Sequence, residues 1–331
     1  MKLKDVVIRI LRKAYRETMG LQFLNPICDM DRQSVNLKIL NLLNSDKPCM
    51  ISRFGTTELN CINNFLTVKS KESYLKKYLA FITQNTHTPW WNEEHFKVMS
   101  LYSGIFPPSI ETSENFSLRY LNDIPLIDLL GSFQYYEKYM PLNPHVFRAQ
   151  LETLYPFFVD IPWTQALRDK NVLVVHPFEE SIKSQFLKRE SIFKNKDILP
   201  EFNLITLKSV QSIAGSKVAF KDWFCALAYM ESQISNINFD ICILGCGAYG
   251  LPLAAHVKRI GRKSIHLGGG TQLLFGIKGK RWVEQYAKEW NYRPGESINL
   301  NYSDLFNDTW VYPSEIEKPQ NANAVEDSCY W

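Results

Sequence analysis

The second half of the chain alternates short apolar runs with stretches in which apolar residues recur every three or four positions. The runs that predict β-strands are NVLVVHPF (171–178), FNLITL (202–207), FDICILGCG (239–247) and KSIHLGGG (263–270). The periodic stretches predict helices over 179–193, 221–234 and 251–260. Strands that are apolar throughout and alternate with helices are typical of a parallel sheet covered on both faces.

The first half of the chain has a different pattern, which predicts mainly helices, over 31–43, 70–83, 92–102 and 117–130. One short strand is predicted, CMISRFG (49–55), and Thr56 or Thr57 would cap a helix running from there to Leu66. Prolines at 107–108 and between 141 and 144 interrupt this half. Together the two halves predict an α/β fold: a Rossmann-like, mainly parallel sheet with helices on both faces and a helical N-terminal region.

We expect a single domain over 1–331, with an amphipathic helix region at 1–30 and an irregular tail at 300–331. The first helix places Val6, Ile10 and Tyr15 on one broad face beside many basic residues. It has the charge of a signal peptide but neither an uninterrupted apolar core nor a cleavage site. Packing on the domain and contact with the cytoplasmic leaflet of a membrane both stay open.

Composition narrows the classes of function. The net charge of +4 comes without a basic stripe interleaved with aromatics, so we expect no nucleic-acid partner. The seven cysteines form no C-x-x-C pair, which indicates reduced thiols in a cytoplasmic protein. The chain has no stretch of about 18 apolar residues, so no membrane span is predicted. Aromatic residues make up 13% of the chain, which suits either a large core or stacking on sugar rings.

A glycine-rich loop follows the strand at 239–247. Gly245, Gly247 and Gly250, with Ala248 and Tyr249 between them, form a G-x-G-x-x-G motif at the start of a helix. Backbone N–H groups there can approach a phosphate, and the helix dipole favours its charge. A dinucleotide site also needs an acidic residue about 20 positions on, and KSIHL has none. With a dinucleotide site disfavoured, the motif predicts a loop that binds phosphate or pyrophosphate. The alternative is that the glycines only allow close packing.

A second glycine-rich loop follows the strand at 263–270, so both loops should lie at one edge of the sheet. Gly269, Gly270 and Gln272 are the candidate contacts in it. Lys280 and Arg281 come shortly afterwards, where they would suit a pyrophosphate clamp. A solvated basic loop is the alternative.

The sequence SRFGTTE (52–58) combines a strand end, a glycine turn and a carboxylate in the first turn of a helix. Arg53 and Gly55 are candidates for phosphate binding. Glu58 would accept a proton, bind a sugar hydroxyl or hold a metal, or else only favour the helix dipole. His176 ends a predicted strand at the same edge, where phosphate contact, acid–base work and a structural role stay open. His266 lies inside a strand and is expected in the core.

These motifs resemble those of the bacterial GT-D-type glycosyltransferases. Residues 51–58 resemble the ARFGDGE signature of that family, and 242–253 followed by 265–270 resemble the layout of its C-terminal region. The chain is also similar to an uncharacterised branch found in surface-polysaccharide gene clusters. Its marks here are SRFGTTELNCI, VVHPF, LPEF, VQSIAG, GCGAYGLPLA, HLGGGTQLLFGIKGKRW and the residues 326–331.

The resemblance implies transfer of a sugar from a nucleotide-sugar donor, with a UDP-sugar expected first, to a glycan or lipid-linked acceptor. The protein would act in surface-polysaccharide biosynthesis, in the cytoplasm or peripherally on the inner face of the membrane. The family's D-x-E motif, associated with donor and metal, maps onto Thr56, Thr57 and Glu58. Mn²⁺ or Mg²⁺ would rest on Glu58, because Thr56 replaces the first acid and its hydroxyl is a poor ligand for a hard cation.

The expected mechanism has Glu58, or else His176, as general base on the acceptor hydroxyl. The helix N-terminus at 247–250, with Lys280 and Arg281, would neutralise the leaving diphosphate. The alternative function is a non-catalytic nucleotide-sugar or glycan-binding protein. A Rossmann dehydrogenase or methyltransferase is disfavoured by the missing ribose carboxylate.

Overall fold

The computed structural model describes residues 3–20, 23–84, 86–91, 93–285, 290–293, 295–298, 300–325 and 328–331. Within these ranges seven strands form one parallel sheet. The strands are β1 (Met50–Arg53), β2 (Leu129–Ser132), β3 (Phe147–Gln150), β4 (Asn171–His176), β5 (Asn203–Lys208), β6 (Ile241–Leu244) and β7 (Lys263–His266). Their spatial order is β3-β2-β1-β7-β6-β4-β5. The predicted α/β class with a mainly parallel sheet is therefore confirmed.

Eleven α-helices of the described residues surround this sheet. They are α1 (Leu3–Met19), α2 (Arg32–Asn44), α3 (Thr56–Lys69), α4 (Tyr74–Ile82), α5 (Glu93–Ser103), α6 (Ile110–Asp123), α7 (Glu179–Phe186), α8 (Arg189–Ile192), α9 (Trp223–Ser235), α10 (Gly250–Arg259) and α11 (Gly270–Leu274). A small antiparallel pair, β8 (Trp290–Arg293) and β9 (Glu296–Ile298), follows them. The predicted helix over 179–193 is in fact two helices, α7 and α8.

The core lies on both faces of the sheet, as the continuous apolar runs predict. Along β4, Val172 and Val174 pack into one cluster, while Leu173 and Val175 pack into the other. All four side chains are buried because helices cover each face. In register, β4 pairs with β6, and Ile243 of β6 faces Ile265 of β7, so the four strands predicted in the second half lie side by side.

Two strands in the first half were not predicted. The expected helix over 117–130 is wrong at its end, because α6 stops at Asp123 and β2 begins at Leu129. Pro125 lies between them and has no N–H group to continue a helix. Both β2 and β3 are only four residues long, which is too short to show a period. Their strand conformation depends on pairing with β1 and with each other.

The turn before α3 also differs from prediction. Gly55, not Thr56 or Thr57, is the residue before the helix, and it has no side chain to cap the free N–H groups. Thr56 is already the first helical residue. By contrast, Asp31 caps α2 by accepting a hydrogen bond from the Ser34 N–H at 2.6 Å. The first N–H groups of α3 therefore have no cap from the residue that precedes the helix.

The N-terminal helix packs on α4 through its basic residues. The Arg12 guanidinium lies 4.2 Å from the ring centre of Phe81. Ile10 is 61% exposed, and Val7 and Leu11 are also exposed. Packing on the domain, one of the two interpretations of this helix, is thus seen, and it leaves an apolar stripe outside. No described helix has the length and hydropathy needed to cross a membrane.

The C-terminal segment, expected as an irregular tail, contains only short 3₁₀ turns after residue 300 in its described part. It nevertheless packs into the body of the protein. Tyr302, Trp310 and Cys329 are buried, and Val311 bridges to Ile277. Residues 326–327, which belong to the C-terminal motif 326–331, lie outside the described residues.

Candidate functional site

A cavity of about 230 Å³ lies at the carboxyl edge of the sheet. It is lined by residues that follow β1, β4, β5, β6 and β7. The chain runs outward from β1 to β2 and β3 on one side, and from β4 to β5 on the other. Open α/β sheets bind ligands where the strand order reverses in this way. Gly247 and Gly269 both line the cavity, as a shared ligand site requires.

Arg53 and Glu58 enter the cavity from the two ends of one turn. Arg53 is the last residue of β1, is half-buried, and lies 5.4 Å from the ring centre of Phe133. Among the described residues no carboxylate oxygen lies within 4.0 Å of its guanidinium nitrogens. Glu58 is 8% exposed and lies in the first turn of α3. Its carboxylate folds back over Gly55, where any side-chain Cβ would overlap it.

The three glycines of the loop after β6 have different surroundings. A Cβ on Gly245 would overlap the His176 ring, and one on Gly250 would overlap the His266 ring. Gly247 has a φ of +58° and nothing within 4 Å of its Cβ position. Close packing therefore explains two of the glycines, and only Gly247 combines a left-handed backbone with open space.

His176 has its protonation fixed by the backbone. Its Nδ1 accepts a hydrogen bond from the Phe178 N–H at 3.0 Å, so in the neutral ring the hydrogen is on Nε2. Burial lowers the pKa of His176 to about 3, which keeps the ring neutral near pH 7. The geometry therefore suits a neutral hydrogen-bond donor rather than a general base.

His266 was expected in the core, and it is buried, but it also lines the cavity. Its Nδ1 lies 3.2 Å from the Ser52 hydroxyl, and its Nε2 has no hydrogen-bond partner among the described residues. Burial, and then the positive charge of Arg53, lower the pKa of His266 to about 3. The ring is therefore neutral and wedged between β1 and the start of α10.

The C-terminal segment forms one wall of the cavity. Arg281 donates to the Tyr330 hydroxyl at 3.1 Å and lies over its ring at 4.8 Å. Gln272 donates to the carbonyl oxygens of Lys278 and Tyr330, which ties α11 to this segment. Trp331 also lines the cavity. The sequence pattern predicted only an irregular tail here, because the contacts that form the wall join residues about 50 positions apart.

The structure brings most of the predicted site residues together. Those that line the cavity are Arg53, Gly55, Glu58, His176, Gly245, Gly247, Tyr249, Gly269, Gln272 and Arg281. Four predicted residues do not line it: Ala248, Gly250, Gly270 and Lys280. Ala248 accepts a hydrogen bond from the buried Tyr120 hydroxyl, Gly270 packs on Tyr155, and Lys280 pairs with Glu284 at 3.8 Å.

Sequence reasoning also missed the loop after β5. Residues 209–213 line the cavity, and the Ser212 hydroxyl lies 3.0 Å from that of Tyr249. The signal was present, because the loop follows a predicted strand and therefore belongs to the carboxyl edge. Its residues, SVQSI, carry no charge or glycine to draw attention.

The donor set does not fit a divalent metal ion. Of the described residues that line the cavity, only Glu58 has a carboxylate side chain. No group of three His, Cys, Asp or Glu side chains that could hold a metal occurs within the described part of the chain. Mg²⁺ and similar hard cations need several oxygen ligands. Thr56 and Thr57 offer only neutral hydroxyls, which are poor ligands for such a cation.

The fold and the site define an α/β protein of the Rossmann-like class with a polar cavity at the carboxyl edge of its sheet. No family model and no curated protein matches the sequence. Among solved structures the chain is similar to a selenomethionine-substituted domain of unknown function 1792. The two are 13% identical, the match covers 94% of this chain and 96% of that one, and the TM-score is 0.34. A TM-score this low does not establish a common fold, so the class rests on strand order and register.

Proposed function

We propose that this protein is a glycosyltransferase of the hexosyltransferase type. It would move a sugar from a nucleotide-sugar donor to a glycan or lipid-linked acceptor in surface-polysaccharide biosynthesis. One observation carries the proposal: Arg53, which has no carboxylate partner among the described residues, and Glu58 share one cavity at the carboxyl edge. A cation stabilises the charge on a leaving diphosphate, and a base takes the proton from an acceptor hydroxyl, so both groups suit sugar transfer from a nucleotide.

The donor diphosphate is placed against the loop after β6. Gly247 lines the cavity there, with nothing within 4 Å of its Cβ position, and α10 begins three residues later. A helix N-terminus attracts phosphate through these N–H groups and the helix dipole. A cavity of about 230 Å³ is smaller than the roughly 300–1,000 Å³ of typical ligand pockets. A nucleotide-sugar, with a UDP-sugar as first candidate, would therefore extend into the open mouth.

In the transfer step, Glu58 takes the proton from the acceptor hydroxyl as its oxygen forms a bond to the sugar's anomeric carbon. The bond from that carbon to the diphosphate oxygen breaks, and the diphosphate leaves with the electron pair. Arg53 and the N–H groups near Gly247 stabilise the charge that develops on it. His176, as a neutral donor, offers its Nε2–H to a phosphate oxygen. Lys280 and Arg281 were both predicted to hold the pyrophosphate. Lys280 lies outside the cavity lining, so we assign this contact to Arg281 alone.

The exposed apolar stripe on α1 supports a location for this reaction at a membrane surface. Val7, Ile10 and Leu11 face outward, and Lys4 and Lys13 are exposed on the same helix. Apolar side chains flanked by lysines suit peripheral contact with an anionic membrane surface. We therefore propose a cytoplasmic protein that meets a lipid-linked acceptor at the inner face of the membrane.

A second candidate is a non-catalytic nucleotide-sugar or glycan-binding protein. Thr56 favours it, because a neutral, exposed residue stands where the resembled family has its first acid. The two candidates share a ligand but differ in turnover.

The test is a thermal-shift panel of UDP-, GDP-, CMP- and dTDP-sugars beside NAD and S-adenosylmethionine. We expect one sugar nucleotide to raise the melting temperature and the two Rossmann cofactors to leave it unchanged. Release of the free nucleoside diphosphate from that donor then separates an enzyme from a binding protein. Stabilisation by NAD or S-adenosylmethionine alone would refute the proposal.

A further inference from the structure

The cavity combines an excess of positive groups with a shortage of metal ligands. Arg53 presents a half-buried guanidinium, and Arg281 adds a second positive side chain to the lining. Among the described lining residues Glu58 has the one acidic side chain. A hard cation is poorly held by one carboxylate, whereas an anion is well held by a guanidinium. The same cavity therefore favours a phosphate over a metal–phosphate complex.

Two helix starts add to this positive character. No side chain caps the start of α3, because Gly55 precedes it, and none caps the turn Gly247–Tyr249 that leads into α10. The first N–H groups of a helix need partners outside the helix. Each helix start acts as about half a positive charge. Arg53 and the two helix starts together supply about two positive charges, and the Glu58 carboxylate at the start of α3 offsets about one of them.

We infer that this site binds the diphosphate of a nucleotide without a divalent cation, through the Arg53 guanidinium and the backbone N–H groups that begin α3 and follow β6. The planar guanidinium can hold two phosphate oxygens at once. The inference rests on the proposed function, since it assumes a nucleoside diphosphate as the ligand. It adds that the protein's own groups, and not a metal ion, offset the negative charge of that diphosphate.

The test is calorimetric binding of UDP, GDP, CDP and dTDP, with the corresponding nucleosides, in EDTA and again in excess Mg²⁺ or Mn²⁺. We expect at least one diphosphate to bind in EDTA, with an affinity that changes less than about threefold when metal is added. Arg53→Met should weaken that binding about 10- to 100-fold, because it removes charge-assisted hydrogen bonds. The weak binding of the nucleoside should not change, since Arg53 is assigned to the phosphates.

Lys217→Met is the matched control. Lys217 is exposed in the loop that follows β5 and lies outside the cavity lining, so this variant removes one positive charge without touching the site. Binding close to that of the parent is expected. Equal losses in both variants would show that Arg53 acts only through long-range charge, and would overturn the inference.

The remaining outcomes separate this inference from the function on which it rests. Diphosphate binding that is lost in EDTA and restored by Mg²⁺ or Mn²⁺ would overturn the metal-free site and leave the glycosyltransferase proposal standing. Absence of binding for every diphosphate under both conditions would overturn both.

Discussion

The turn after β1 and the loop after β6 both use glycine at the carboxyl edge of the sheet, but for different reasons. Gly55 makes room for the Glu58 carboxylate, which is the flexible end of a side chain in the same turn. Gly245 and Gly250 make room for the rings of His176 and His266, which are rigid and buried. The glycine in the turn after β1 thus allows a carboxylate to take its position. The two glycines in the loop after β6 allow the strands and α10 to pack closely.

The comparison shows that the glycines of one sequence motif can have different structural roles. In GCGAYG only Gly247 has both a positive φ and open space, as a residue that faces a ligand should. Substitutions in the two segments should therefore have different effects on turnover and on stability. Those after β1 should reduce turnover with little change in stability, and those at Gly245 and Gly250 should reduce stability first.

The largest effect is expected for Glu58→Gln, which keeps the shape of the side chain and removes its charge. Loss of a positioned general base costs about 10²–10⁴-fold in rate. The free energy of unfolding should change by only about 0.3–1 kcal/mol, the value of a helix-dipole contact. Sugar transfer and melting temperature are measured on the same preparation. Turnover within a few-fold of the parent would show that Glu58 is structural.

Gly55→Ala sharpens this test without touching the carboxylate chemically. The backbone of Gly55 has φ −79° and ψ 146°, which alanine adopts freely. The new Cβ would displace the Glu58 carboxylate from its position. Turnover should fall by at least about tenfold, since a misplaced group of this kind can cost about 100-fold. A normal rate would mean that the position of the carboxylate does not matter.

In the loop after β6, Gly250→Ala should destabilise the protein. Alanine at this helical position is favoured by about 1 kcal/mol on helix propensity alone. The new methyl group would overlap the buried His266 ring, and overpacking typically costs about 1–3 kcal/mol. Urea unfolding measures the net change, for which we expect a loss. Adding His266→Ala should make the Gly250 substitution harmless, whereas a gain in stability from Gly250→Ala alone would contradict the overlap.

The buried histidines predict a loss of stability in acid. Burial lowers the pKa of His176 and His266 to about 3 from an ordinary 6.5, so between these values the unfolded chain binds protons that the folded chain does not. Their contribution is therefore complete above pH 6.5 and is lost as the pH falls toward 3. The slope is at most about 1.4 kcal/mol per pH unit for each ring. In the matched variant His176→Asn, whose Oδ1 can still accept from the Phe178 N–H, unfolding measured from pH 7 to 5 should show a smaller slope. An unchanged slope would mean that His176 is not the titrating group.

The smallest effect is expected at Gly247. Its φ of +58° makes Gly247→Ala cost about 1 kcal/mol of unfolding free energy, while asparagine tolerates this conformation better. Gly247→Asn should therefore stay close to the parent in stability but fill the space where a phosphate approaches. Nucleotide binding is measured by calorimetry for both variants. Full affinity in the asparagine variant would remove this loop from the binding site.

The local pattern of residues is enough to predict the second half of the fold. Four apolar runs with helices between them predict β4 to β7, and their parallel pairing confirms this. The rule that ligands meet the carboxyl ends of parallel strands then brings Arg53, Glu58, His176 and Gly247 to one edge, where the structure has them. This part was predictable because the period of apolar residues and the direction of strands are properties of neighbouring residues.

The remaining features depend on contacts between segments that are distant in the sequence. The strands β2 and β3 are too short to carry a period and exist through pairing with β1. The donor state of His176 follows from one backbone N–H in a folded turn. Arg281 lines the cavity, but its neighbour Lys280 does not. This difference depends on contacts with the C-terminal segment, which is about 50 residues away in the sequence. Such contacts between distant segments arise from packing, and no local pattern of residues encodes them.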